Sequence, residues 1–262
     1  MRTRAFVALT TGALALTAVT VPAAHAAGGS TGPKISNVSV NGGKDVVVGV
    51  AKKTFKVKFT VKHSSPIYDA IAAMWRGPNE AVPERMMFPD MGLEHPCKKV
   101  NSTTSTCSFK LVANPKESFP EGDLKNVDTG RWNLMALVED SKENETQKMK
   151  AATALVKRAA KATVNASPEP VKKGKTLTIT GALTRANWDT NKYGGFASGA
   201  VKLQFKKKGT SRWTPVKTVS ADSRGKVKTS VKASADGSYR FTYGGSASTG
   251  SATSTGDFVD VR

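Results

Sequence analysis

Cysteine, histidine and acidic side chains are all scarce in these 262 residues. Two cysteines, Cys97 and Cys107, exclude a zinc cluster and a disulfide-dense miniprotein. Three histidines, with no G-x-S-x-G, P-loop, H-E-x-x-H or paired C-x-x-C, leave no constellation for catalysis, so no enzyme is expected. Of the two that follow the leader region, His63 continues the polar side of a strand and His95 stands in a loop before Pro96, so both read as exposed. Beyond residue 27 there is no long apolar run, which argues against a polytopic membrane protein, and no LPxTG-like sorting motif. At 39% apolar residues the chain is nevertheless too hydrophobic to be wholly disordered. Acids number 20 against 40 lysines and arginines, a formal net charge of +20.

What is present begins with a secretory pattern over residues 1–27. Arg2 and Arg4 precede an Ala/Leu/Val/Thr stretch, Pro22 interrupts it, and Ala24-His25-Ala26 offers small residues at a cleavage site. Its removal takes away two arginines and no acid, leaving a strongly basic protein expected outside the cell. In that oxidising setting Cys97 and Cys107, ten residues apart across a Ser/Thr-rich loop, are expected to form a disulfide at a hairpin end or loop.

The remaining chain alternates apolar and polar residues. Phe55, Val57, Phe59 and Val61 alternate with Lys56, Lys58, Thr60 and Lys62, and Leu177 and Ile179 with threonines. Val201, Leu203 and Phe205 alternate with Lys202, Gln204 and Lys206, and Val227 and Val231 with Lys226, Lys228 and Lys232. A period of two means one buried and one wet face, and Gly- and Asn-rich turns separate the runs. The reading is all-β, with two tandem immunoglobulin-like β-sandwiches over residues 28–159 and 160–262. An internal echo supports it: Asp128-Thr129-Gly130-Arg131-Trp132 and Asp236-Gly237-Ser238-Tyr239 each place an acid and a glycine before an aromatic-led strand. Two Ala-rich stretches, Pro66 to Trp75 and Met149 to Ala162, are helical on propensity but are assigned as a core strand and a final strand.

Pro170 to Gly181, Trp188, Tyr193, Val201 to Phe205, Thr218 to Gly225 and Gly256 to Arg262 together resemble an immunoglobulin-like module of secreted proteins from high-GC Gram-positive bacteria. Residues 28–158 resemble a less distinctive partner module through the cysteine pair and Asp128 to Trp132. The resemblance implies secretion and a sandwich fold, and it brings no catalytic residues. Some such proteins carry a calcium-binding label, which makes calcium the alternative ligand. Asp123, Asp128, Glu139 and Asp140 are the candidate oxygen donors for it, although neither acidic stretch follows an EF-hand pattern. No other cofactor is expected.

Charge is the larger signal. Residues 160–262 hold 18 basic and six acidic residues. Lys202, Lys206, Lys226, Lys228 and Lys232 are expected to point outward together and attract a polyanion. In the Gram-positive setting that the resemblance implies, the expected partner is an anionic or carbohydrate wall polymer of teichoic type; the alternative is that the lysines only keep the surface soluble and block sheet edges. Specific nucleic-acid binding is not expected, because no aromatic-plus-basic strand motif is present. A second candidate surface is the loop from Arg185 to Phe196, whose Trp188, Tyr193 and Phe196 stand beside Asn and Asp as in sugar sites; the competing reading, and the commoner one for such rings, is that they fold back to cover the open end of the sandwich. In the first module Trp75 is assigned to the core, with Met86, Met87 and Met91 covering it.

Overall fold

The computed structural model describes residues 32–79, 81, 83–89, 95–116, 124–197 and 199–262. The secretory segment 1–27 lies outside the described residues, as do Asp123 and Met91. Residues Gly32–Arg262 form one compact unit built from two immunoglobulin-like β-sandwiches, with no α-helix among the described residues.

The first sandwich contains β1 (Lys34–Val40), β2 (Val46–Val48), β3 (Lys53–Lys62), β4 (Ile67–Arg76), β5 (Arg85–Met87), β6 (Cys97–Asn101), β7 (Thr104–Ala113), β8 (Gly130–Asp140) and β9 (Glu145–Arg158). One sheet runs β1-β3-β7-β6 and the other β2-β9-β8-β4-β5. The chain therefore opens in one sheet and crosses to the other within β1 and β2, where β2 pairs in parallel with β9. Both Ala-rich stretches are strands. Their small side chains have a packing reason: Ala70, Ala72 and Ala136 share a core with Phe55, Phe59, Phe109 and Trp132, so large and small residues fill the gap between sheets.

Trp75 departs from the expected placement. It is buried, yet Ala70, Ala72 and Met74 face the core, so Trp75 occupies the outer face of its sheet. Between Leu134 and Ala136 the β8–β9 register shifts, and the Met149 carbonyl there accepts the Trp75 Nε1–H at 2.6 Å. Met87 belongs to the core, whereas Met86 pairs with Trp75 on the outer side.

Cys97 and Cys107 are disulfide-bonded and directly opposed on β6 and β7, so the bridge ties an edge strand to its neighbour within one sheet. Reduction is expected to lower the unfolding free energy by about 2–3 kcal/mol, the entropy of releasing so short a loop. Urea denaturation with and without reductant measures it; coincident curves would refute a stabilising role.

The second sandwich contains β10 (Ala160–Ala162), β11 (Asn165–Ser167), β12 (Thr176–Asn187), β13 (Lys192–Gly195), β14 (Ala200–Lys207), β15 (Thr214–Ser220), β16 (Lys226–Lys232), β17 (Gly237–Tyr243), β18 (Ala252–Thr253) and β19 (Asp257–Val259). The long β12 is the centre of one sheet, with β10 and β11 along one edge and β13 and β16 along the other. The second sheet runs β15-β14-β17, with β18 and β19 beyond β17. Two glycines permit the crowding around β12. A Cβ on Gly181 would stand 2.1 Å from the Thr163 carbonyl oxygen, where β10 breaks into β11. Gly225 has φ +78° and would place a Cβ 2.4 Å from the Leu183 carbonyl oxygen, where β13 gives way to β16.

Candidate polymer-binding faces

The five lysines singled out in the second module do not share a face. Lys202 and Lys206 lie on β14, which pairs with β15 and β17, while Lys226, Lys228 and Lys232 lie on β16, which pairs with β12. Val201, Leu203 and Val227 are buried between the two sheets, so the lysines leave the sandwich in opposite directions. Strand pleating sets them outward as expected, but sheet partnership divides them.

The loop aromatics are corrected more sharply. Trp188 is 0% exposed and packs into the core of the first sandwich with Ala186. Its Nε1–H donates to the Gly49 carbonyl at 2.9 Å and approaches that of Val48 at 3.3 Å. Around it stands a polar clamp centred on Asn126, in the loop before β8. The Asn126 Oδ1 accepts the Trp188 N–H at 3.0 Å and a bond from Arg158. Its Nδ2 donates to Asn187 Oδ1 at 2.9 Å and to the Asp189 carboxylate, and its backbone N–H donates to Asp189 Oδ1 at 3.0 Å. Burial lowers the Arg158 guanidinium pKa from its ordinary value, Arg185 adds to that, and Asp189 opposes it. Only Ala159 separates β9 from β10, and its N–H donates to Val48 while its carbonyl accepts from Ala186.

Tyr193 sits under Lys161, whose Nζ is 4.0 Å from the ring centroid, and burial raises its hydroxyl pKa. Phe196 packs edge-on against Tyr243 with Arg185 over its ring at 4.1 Å. The three aromatics thus close the junction and the second core rather than form an open sugar platform.

An aromatic and cationic platform exists elsewhere, on the outer face of the β15-β14-β17 sheet. Trp213, in the β14–β15 loop, folds back over that face. The Arg240 guanidinium carbon is 4.1 Å and the Lys206 Nζ 5.1 Å from its ring centroid. Arg240 Nε donates to Gln204 Oε1 at 2.8 Å, which holds the guanidinium flat on the sheet. Phe258 pairs across from Ser238 on the same face, 43% exposed, with Lys208 near its ring. Lys202 extends the charge along β14. Arg240 and Phe258 were readable from alternation with Tyr239, Phe241 and Val259; Trp213 gives no periodic signal, because it comes from a turn.

Two of the candidate calcium donors, Asp128 and Asp140, are otherwise engaged, and Asp123 lies outside the described residues. Asp128 is buried, accepts the Lys125 N–H at 2.7 Å and lies 3.5 Å from Arg85 Nε, while the Trp132 indole donates to its carbonyl. Asp140 accepts the backbone N–H groups of Lys142 and Asn144 in the β8–β9 turn. Burial would raise its pKa, but the bonds from Asn144 and Lys142 outweigh that and lower it. Glu139 faces Glu145 across the hairpin. Among the described residues no three His, Cys, Asp or Glu side chains converge. Asp236, the echo of Asp128, has its pKa lowered by the Val261 N–H and by Lys208.

His95 is exposed, with Nε2 2.9 Å from the Tyr68 carbonyl oxygen. His63 is buried, contrary to the sequence reading, and its Nε2 is 3.0 Å from Ser105 Oγ. Val61 faces inward and Lys62 outward, so the same alternation turns His63 inward. Among the described residues its Nδ1 has no hydrogen-bond partner, and none of their carboxylates orients this His–Ser pair as a triad would require.

No known family and no curated protein matches the chain. Among solved structures it is similar to dimeric latent PorU from Porphyromonas gingivalis, at 13% identity and a TM-score of 0.30, covering 89% of this chain and 20% of that one. The mouse nectin-like molecule 4 ectodomain gives 13% identity and 0.25, covering 87% and 64%, and bovine butyrophilin 10% and 0.34, covering 80% and 91%. The chain thus spans about a fifth of PorU and under two thirds of the nectin-like ectodomain. Fold identity rests on the strand order described above.

Proposed function

We propose that this is an exported, non-catalytic binding protein of the cell envelope that engages an anionic or carbohydrate wall polymer. The observation that carries this reading is the Trp213 platform: an aromatic ring held over Arg240 and Lys206, flanked by Lys202 and Phe258. An aromatic face suits the C–H surface of a sugar, and fixed cations suit its acidic substituents, so an acidic glycan or phosphate-substituted polymer satisfies both. The disulfide and the basic composition accord with a site outside the cell. The absence of a converging catalytic set in the sequence supports a binding role.

Trp213→Ala and Arg240→Gln are each expected to weaken retention on purified cell wall by about tenfold, the effect of losing a central aromatic or arginine contact. Both residues lie on an outer face, so circular dichroism should remain unchanged. Wall stripped of its anionic polymer should retain the parent protein poorly. Undiminished binding by both variants would overturn this assignment of the site.

A further inference from the structure

The β1-β3-β7-β6 sheet of the first sandwich contains eight lysines and not one aspartate or glutamate. Phe55, Val57, Phe59 and Val61 face the core, which sends Lys56, Lys58 and Lys62 to the outer face. Residues directly opposed across a ladder share a face, so the pairing adds Lys110 opposite Lys56, Lys34 opposite Lys62, and Lys98 opposite the outward Thr106. All six are exposed, and among the described residues none makes an ion pair or a side-chain hydrogen bond. They are interspersed with Ser36, Thr60, Thr104, Thr106 and Ser108 on the same face.

Two of these contacts, Lys56–Lys110 and Lys34–Lys62, set like charges directly opposite on neighbouring strands. That arrangement destabilises a sheet, and no acid of these four strands and no ion pair among the described residues relieves it. Lysines that merely aid solubility would be equally served one residue pair further along, or alternated with glutamate. At about 3.4 Å of rise per residue, the strip from Lys56 to Lys62 runs about 20 Å along the strands. A rigid row of that length matches a chain of charges better than a single ion.

We infer that this face is a second binding site, distinct from the Trp213 platform, for a linear phosphate-bearing polyanion. Ammonium groups and hydroxyls predominate among the groups it presents along the strands, and both suit phosphate oxygens. The aromatic rings of its four strands, Phe55, Phe59 and Phe109, all turn into the core and leave none to stack a nucleobase, and the apolar residues outside that core include only the half-buried Val112 and, at the hairpin end of β6, the exposed Val100. Binding neutralises the opposed lysines, so the ligand relieves a strain that the free protein carries.

Linear inorganic polyphosphate is the probe, with orthophosphate and a single-stranded DNA of equal charge as comparisons, in fluorescence anisotropy competition at several salt concentrations. The triple variant K56Q/K58Q/K110Q is expected to bind polyphosphate about tenfold more weakly and to flatten the dependence of log K on log salt by about three. A control, K172Q/K173Q/K175Q, removes the same net charge from an exposed loop and should bind as the parent does. Without ligand, the first variant should melt at or above the parent temperature, since a repulsive pair is gone. K56Q/K58Q/K110Q leaves Trp213, Arg240 and Lys206 intact, so its loss of polyphosphate binding and the loss of wall retention in the platform variants are read separately, and failure here and failure of the proposed function are distinguishable. Equal losses in the two triple variants would overturn the site in favour of diffuse charge attraction. Tighter binding of DNA than of polyphosphate would overturn it in favour of base recognition.

Discussion

Trp188→Ala should destabilise the protein by about 3–5 kcal/mol, the usual cost of truncating a fully buried tryptophan. The side chain originates in the second sandwich and is buried in the core of the first, so its removal leaves a cavity on the far side of the junction. It also strands the Gly49 carbonyl, which loses its indole donor, while the Val48 carbonyl keeps the Ala159 N–H. Because the indole binds both sandwiches, the loss should fall on their coupling. A single denaturation transition in the parent is expected to split into two in the variant. The measurement is urea denaturation followed by tryptophan fluorescence and by far-ultraviolet circular dichroism. Coincident parent and variant curves would show that the junction carries no energy. The same geometry makes residues 160–262 a poor isolated fragment, since excision would expose Trp188.

Asn126→Asp comes second, at about 3 kcal/mol at neutral pH. The substitution keeps an oxygen for the Trp188 N–H and for Arg158, but it exchanges the amide donor for a second carboxylate oxygen. That oxygen would face Asn187 Oδ1 and the Asp189 carboxylate, both acceptors. A charge-assisted hydrogen bond is lost and a like-charge contact replaces it. Protonating either carboxyl restores a donor between them, so the pair's folded-state pKa should be raised above its unfolded value. The deficit should therefore be full at pH 7 and shrink as pH falls toward about 4, where the pair gains its proton. Urea denaturation of parent and variant at both pH values tests this. Equal deficits at both would exclude the carboxylate clash as the cause.

Alternation made the strands legible. Phe55 to Val61 and Val201 to Phe205 have the period that their buried and exposed sides show. What alternation does not carry is which sheet a strand joins. Lys202 and Lys228 sit in indistinguishable local patterns, yet hydrogen bonding to β17 in one case and β12 in the other sends them to opposite faces. Cross-strand juxtaposition is hidden for the same reason: Lys56 and Lys110 meet through a pairing 54 residues apart in sequence. Trp188 was visible as an aromatic in a long polar loop, but its partners, Val48 and Gly49, lie some 140 residues earlier. Local chemistry offered a sugar contact or a fold-back over the end of its own sandwich; burial in the other sandwich came from a surface that sequence spacing does not reveal. His63 is the opposite case, since extending the period one residue past Lys62 was enough to place it inside.

The parallel pairings give the molecule a mechanical character. In the first sandwich β2 runs parallel to β9 near the strand's final residues. In the second, Val171 bridges Val261 in parallel, with backbone bonds to Asp260 and Arg262 around it. Tension along the chain pulls the earlier member of each pair one way and the later member the other. The hydrogen bonds between them lie across that pull, so they are loaded in shear and must yield together rather than unzip one by one. With a single residue between β9 and β10, there is no slack linker to extend first. Each sandwich is thus clamped by a parallel pairing at its last residues, Val156 to Arg158 in the first and Val261 in the second.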